Sequence, residues 1–169
     1  MERISNSTEA LMKEAEIEIE SFTINSGQKI VAYFSEIPAL RGFPYKIILV
    51  ENADGTIYSA FRQWDTAYNF EQWTFGIYNL DRLRMITDEK ILPDTDLVSL
   101  KIELARLEQI ALPESIWNKK AIVLDSSKWK FGFRLANKNV DYTWVASTDD
   151  IDLFIPIIEL IRKQYLDKI

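Results

Sequence analysis

A chain of 169 residues, 47% apolar and 27% charged, is long enough to bury one core without staples and is neither disordered nor fibrous in composition. Twenty basic residues against 26 acidic ones leave a net charge of −6 with no polybasic run, which argues against sequence-independent binding to phosphate backbones and favours a basic partner. The absence of histidine and cysteine removes the commonest general base, the thiolate nucleophile, disulfides and nearly all usual zinc sites.

At the start of the chain, SNSTEALMKEAEIEIESF places Leu11, Met12, Ala15, Ile19 and Phe22 at helical spacing behind Ser5, Asn6 and Ser7 as capping candidates. Ile17, Ile19, Phe22 and Ile24 can equally open a strand, and we take a hairpin here, turning at NSGQ and returning as KIVAYFSE. In YKIILVENADGTIYSAFRQW, Asp54-Gly55 reads as a two-residue turn between β-rich runs. That turn pairs Ile48 with Phe61 and Val50 with Ser59 on one face, and Leu49 with Ala60 on the other. Apolar residues on both faces predict a central place in the sheet.

Residues 63–92 combine many aromatic rings with no sustained period and predict no particular element. LPDTDLVSLKIELARLEQIALP gives a clear helix, with Leu97, Leu100, Leu104, Leu107 and Ile110 in one stripe, Asp94, Thr95 or Asp96 to cap it and Pro113 to close it. A short strand, AIVLD, follows. In KWKFGFRLANKNVDYTWVAS, alternation sets Trp129, Phe131, Phe133 and Leu135 on one face, with Lys128, Lys130, Gly132 and Arg134 on the other. An even loop pairs Leu135 with Val140, Phe133 with Tyr142, Phe131 with Trp144 and Trp129 with Ala146, and sets Arg134 opposite Asp141. The aromatic face is then core, covered by the two helical stripes. A base-stacking platform would need rings and cations on one face, and alternation separates them. The tail ASTDDIDLFIPIIELIRKQYLDKI is a last helix, with Ser147 or Thr148 at its start and Lys163 and Lys168 toward its end. Pro156 either kinks it or means that it begins late, near Asp152.

The order of elements predicts a single α+β domain over residues 1–169, a mainly antiparallel sheet with helices packed on one face. The N-terminus has no apolar stretch of signal-peptide type and no run is long enough to span a bilayer, so a cytoplasmic protein with no membrane partner is expected. The segment LDSSKWKFGFRLANKNVDYTWVASTDDIDLFIPIIELI, with its Asp-led turn, Trp strand, Tyr-x-Trp strand and acidic-capped helix, resembles small bacterial α+β proteins, some of them immunity partners of contact-dependent or polymorphic toxins. The resemblance implies a binding role and carries over no catalytic residue. The element order is also similar to that of type III secretion chaperones, a template that the extra strands and the region from Trp64 to Tyr78 do not fit.

Five glycines, none spaced as a phosphate loop or dinucleotide fingerprint, leave nucleotide binding by those devices unsupported, and no cofactor is expected. Asp94, Asp96, Asp149, Asp150 and Asp152 could hold Mg²⁺ or Ca²⁺, but they fall where helices begin and capping explains them better. Phe61, Trp64, Tyr68, Phe70, Trp73, Phe75 and Tyr78 have two readings. They complete the core, or some are exposed as interface anchors within a charged rim of Arg62, Asp65, Glu71 and Asp81. The candidate partner-binding residues are therefore Arg62, Trp64, Asp65, Tyr68, Phe70, Glu71 and Trp73. The expected function is a non-enzymatic, immunity-type inhibitor that occludes a partner protein, with a chaperone-like adaptor or a carboxylate-dependent enzyme as alternatives.

Overall fold

A computed structural model describes residues 4–5, 8–38, 43–73, 78–79, 83–116, 127–145 and 149–169. In chain order the elements are β1 (Ile4–Ser5), α1 (Thr8–Glu20), β2 (Lys29–Ile37), β3 (Tyr45–Glu51), β4 (Ile57–Trp64), α2 (Thr66–Trp73), β5 (Tyr78–Asn79), β6 (Met85–Ile91), α3 (Asp94–Glu108), β7 (Lys128–Arg134), β8 (Asn139–Val145) and α4 (Ile155–Arg162). The protein is α+β. Six strands form one open antiparallel sheet in the order β6-β4-β3-β2-β7-β8, and β1 pairs with β5 apart from it.

The apolar stripe of α3 and the hydrophobic α4 lie on one face of the sheet, where alternate residues of every central strand meet them. Ile47, Leu49, Phe61, Phe131 and Phe133 are buried there with Leu100, Leu107, Phe154, Ile157 and Ile161. Rings knit this layer together: Phe154 lies 4.9 Å from Tyr142, 5.5 Å from Phe131 and 5.8 Å from Phe133 between ring centroids. Tyr165 stacks on Phe61 at 4.8 Å and its hydroxyl donates to the Ser59 carbonyl at 2.8 Å, while burial pushes its own proton affinity up to about 12. Helix α1 lies on the opposite face, against β3 and β4, so the sheet carries helices on both sides.

β3 holds the central position that its doubly apolar pattern predicts. Its pairing with β4 differs by one residue from the expected register: Ile48 faces Ala60, Leu49 faces Ser59 and Val50 faces Tyr58. The cause is the turn, which has three residues rather than two. Asn52 N–H donates to Thr56 O at 2.9 Å and Gly55 N–H to Asn52 O at 3.0 Å, with Gly55 at φ 84°, the left-handed position of a three-residue hairpin loop. Asp54 adds its Oδ1 as acceptor for Thr56 N–H. The slip regroups the faces, placing Phe61 with Ile47 and Leu49, and Ile48 with Val50 and Ala60.

The hairpin expected at NSGQ is replaced by a helix running to Glu20 and an irregular segment over residues 21–25. β2 has β3 on one side and β7 on the other, so no edge remains for a preceding strand. β7 and β8 pair two residues away from the expected register, with Phe133 facing Val140, Phe131 facing Tyr142 and Trp129 facing Trp144. Leu135–Lys138 form an even, four-residue loop closed by Leu135 N–H to Lys138 O at 2.9 Å. A slip of two leaves every side chain on its predicted face, but sets Arg134 opposite Asn139 and Asp141 opposite Gly132. α4 begins late, with Pro156 in its first turn, where a missing N–H is harmless. α3 is capped by Pro93 without a side-chain bond, in place of the expected aspartate or threonine cap. Asp96 instead turns inward, accepting from Lys163 Nζ at 2.6 Å and Gln164 Nε2 at 2.7 Å. The expected strand AIVLD, the caps Asn6, Ser7, Ser147 and Thr148, and Ala146 lie outside the described residues.

Candidate contact surface

At one end of the sheet, β4 runs into α2 and β6 begins beside it. Pro44 O accepts from Trp64 N–H, and Arg84 O from Asp65 N–H, each at 3.0 Å, so residues 43–44, 64–69 and 84 meet there. Asp65 caps α2, its Oδ1 accepting from Tyr68 N–H at 3.1 Å, while its Oδ2 lies 3.1 Å from Arg84 Nε. Asn69, buried, holds the Arg84 backbone twice: its Nδ2 donates to Arg84 O and its Oδ1 accepts from Arg84 N–H, both at 2.9 Å. The Arg84 guanidinium lies over the Tyr68 ring, 5.4 Å from its centroid. With 63% of its side chain exposed, Arg84 is a cation whose guanidinium is held by Asp65 and Tyr68 and whose backbone is held by Asn69. Phe43 is 49% exposed beside Pro44.

The predicted partner-binding residues separate here. Trp64 is 5% exposed, packed with Ala15, Ile19, Leu83 and Met85, so it serves the core and is not an exposed anchor. Phe61 belongs to the main core. Arg62 donates Nη1 to the carbonyls of Glu18 at 2.7 Å and Ser21 at 3.1 Å, and it holds α1 rather than rimming an anchor. Asp65 and Tyr68 position Arg84, and Glu71 is exposed on α2. The side chains of Phe70 and Trp73 lie outside the described residues, as do Phe75 and Asp81. Sequence reading missed Arg84 and Phe43. The GFPY stretch, a large ring set against a proline that cannot continue a ladder, was the available signal for Phe43.

The electrostatics bear on catalysis. Among the described residues, every carboxyl displaced from its ordinary range is displaced downward. Lys128 draws Glu16 down and Lys168 draws Asp88 down. Burial would raise Glu20 and Asp96, but Lys46 and Lys130 outweigh it at Glu20, and Lys163 together with Gln164 and Thr95 outweighs it at Asp96. The Thr56 backbone lowers Asp54. An acid and base pair would need one carboxyl held protonated beside one held ionised. A cleft of about 320 Å³ beside β8 contains Asp141, which accepts from the Tyr33 hydroxyl at 2.7 Å, and a larger cleft of about 510 Å³ is lined by Asp88 and Glu89. Among the described residues no cluster of three or more acids could hold a metal ion, and no helix is long and apolar enough to cross a membrane.

The chain matches no protein-family model and no curated protein.

Proposed function

We propose that the protein is a non-enzymatic binding module of the immunity type, occluding a partner protein by shape and charge in the cytoplasm of a bacterium. The pinned and exposed Arg84 carries this reading. An arginine whose side chain is already held by Asp65 and Tyr68 gives up less side-chain freedom when a partner's acceptor meets it, and arginine and aromatic side chains dominate contact energies. Phe43 supplies an apolar neighbour at the same end of the sheet. The carboxylates favour binding over proton transfer, because those that are displaced are held as fixed anions. The net charge of −6 favours a partner that is basic as a whole and steers its approach.

Affinity capture from the source organism's lysate at low and then high salt, followed by titration of what is retained, tests this. The expected result is one basic protein, released at high salt, whose affinity falls about tenfold or more with Arg84→Ala and less with Phe43→Ala. Capture of nothing, or affinity unmoved by Arg84→Ala, sinks the reading. Trp64→Ala would disturb folding beneath α1 and so report on the core.

A further inference from the structure

Across the face that α1 covers, the strand register sets Lys130 of β7 beside Ser35 of β2, Ser35 beside Lys46 of β3, and Lys46 beside Arg62 of β4. Three cations thus stand in one row across four strands, Lys46 and Arg62 about one strand separation (~4.8 Å) apart and Lys130 about two from Lys46, with Lys128 two residues along β7. Like charges directly opposite, such as Lys46 and Arg62, repel, and Lys46 is 7% exposed. The row therefore needs an anion.

α1 supplies one. Glu20 reaches Lys46 at 2.6 Å and Lys130 at 3.0 Å, and Glu16, one turn earlier, reaches Lys128 at 2.6 Å. The negative end of the helix dipole completes the match, because Arg62 and Lys46 donate to carbonyls of residues 18–21. Over residues 13–20, whose side chains are described, apolar packing beneath the helix is slight. Among its described side chains only Ala15 and Ile19 are buried, Ile17 is 51% exposed, and the cluster beneath it is separate from the main core. The match is also incomplete: Arg62 Nε is buried without a hydrogen-bond partner among the described residues.

We propose that this row is a binding site for an acidic helix of a partner protein, and that α1 is the chain's own, displaceable occupant. The chemistry that fits is visible in α1: two carboxylates one turn apart, ahead of a helix C-terminus laid on the cations. A partner helix that also reaches Arg62 Nε would satisfy the site better than α1 does. The site is separate from the surface around Arg84, and the two proposals stand or fall apart.

The test titrates full-length protein with a labelled synthetic peptide of residues 8–20. Wild type, whose own helix holds the row at high effective concentration, is expected to bind the peptide at least about tenfold more weakly than the Glu16→Gln/Glu20→Gln variant. The variant's binding should vanish at ~0.5 M salt and on adding Lys46→Met and Lys130→Met. Equal behaviour of wild type and variant overturns the proposal, as does binding that survives loss of the two lysines. Hydrogen exchange provides the structural control. α1 amides should exchange faster in the variant while β3 and β4 stay protected, and unchanged α1 exchange overturns the proposal. Should the double variant lose β3 and β4 protection, Glu20→Gln alone serves the same comparison. A dimer of the variant with α1 cross-linked in trans would make a second copy the occupant and overturn the assignment to a partner.

Discussion

The two faces of the sheet are held by different forces. On one, α3 and α4 seal a continuous core in which Phe61, Phe131, Phe154 and Tyr165 are wholly buried. On the other, the described part of α1, residues 13–20, rests on a satellite cluster of Ala15, Ile19 and Trp64 and makes ion pairs to Lys46, Lys128 and Lys130. Apolar burial is neither screened by salt nor titrated by mild acid, whereas ion pairs weaken with both. One strand scaffold can therefore keep a permanent layer and a releasable one.

The largest expected effect breaks the permanent layer. Phe154→Ala removes a ring that touches Phe131, Phe133 and Tyr142, and should cost about 3–5 kcal/mol in urea unfolding, with little dependence on added salt. A salt-dependent loss would erase the distinction between faces. Next comes Gly132→Ala on the other face, where a Cβ would stand 2.3 Å from Tyr33 Cε1 and 2.5 Å from Asp141 Oδ1. That overlap should cost about 1–3 kcal/mol, and Tyr33→Ala in the same chain should recover part of it. The smallest effect sharpens the comparison by acid. Lys128 holds Glu16 low, and at Glu20 burial is outweighed by Lys46 and Lys130, so both folded-state values lie below the unfolded ones. Their contribution is complete above the usual carboxylate range and is lost as pH falls through the lowered values. α1 amides should then lose exchange protection at higher pH than those of β3 and β4, and Glu16→Gln/Glu20→Gln should abolish that early step. The half-exposed Glu16–Lys128 pair alone should contribute only ~0.2–1 kcal/mol.

Much of the permanent layer was legible in the sequence because the signals there are periodic. The α3 stripe and the Trp129–Leu135 alternation each name one face, and a β7–β8 register shifted by two still leaves each residue where alternation put it. The β3–β4 pair shows the opposite case. One extra loop residue, with Gly55 at positive φ, changes the parity and exchanges partners across the sheet, although the same Asp-Gly signal marks both turns. The ionic layer was harder to read. Alternation puts Lys128 and Lys130 on one face of their strand but names no partner for them, because Glu16 and Glu20 lie more than a hundred residues away in the sequence. Around Arg84 the decisive contacts come from Asp65, just ahead of α2, and Asn69 within it, a two-turn helix too short to show a period. Local propensity there is weak and tertiary contact decides.

Trp129 and Trp144 stack with centroids 6.1 Å apart and planes inclined by 24°, close enough for their indole transitions to couple and give a paired band in circular dichroism. Trp64 sits under α1, on the other face of the sheet. The molecule thus carries a separate optical reporter on each side: the coupled band follows the β7–β8 hairpin, and a change in Trp64 emission follows the lifting of the helix above it.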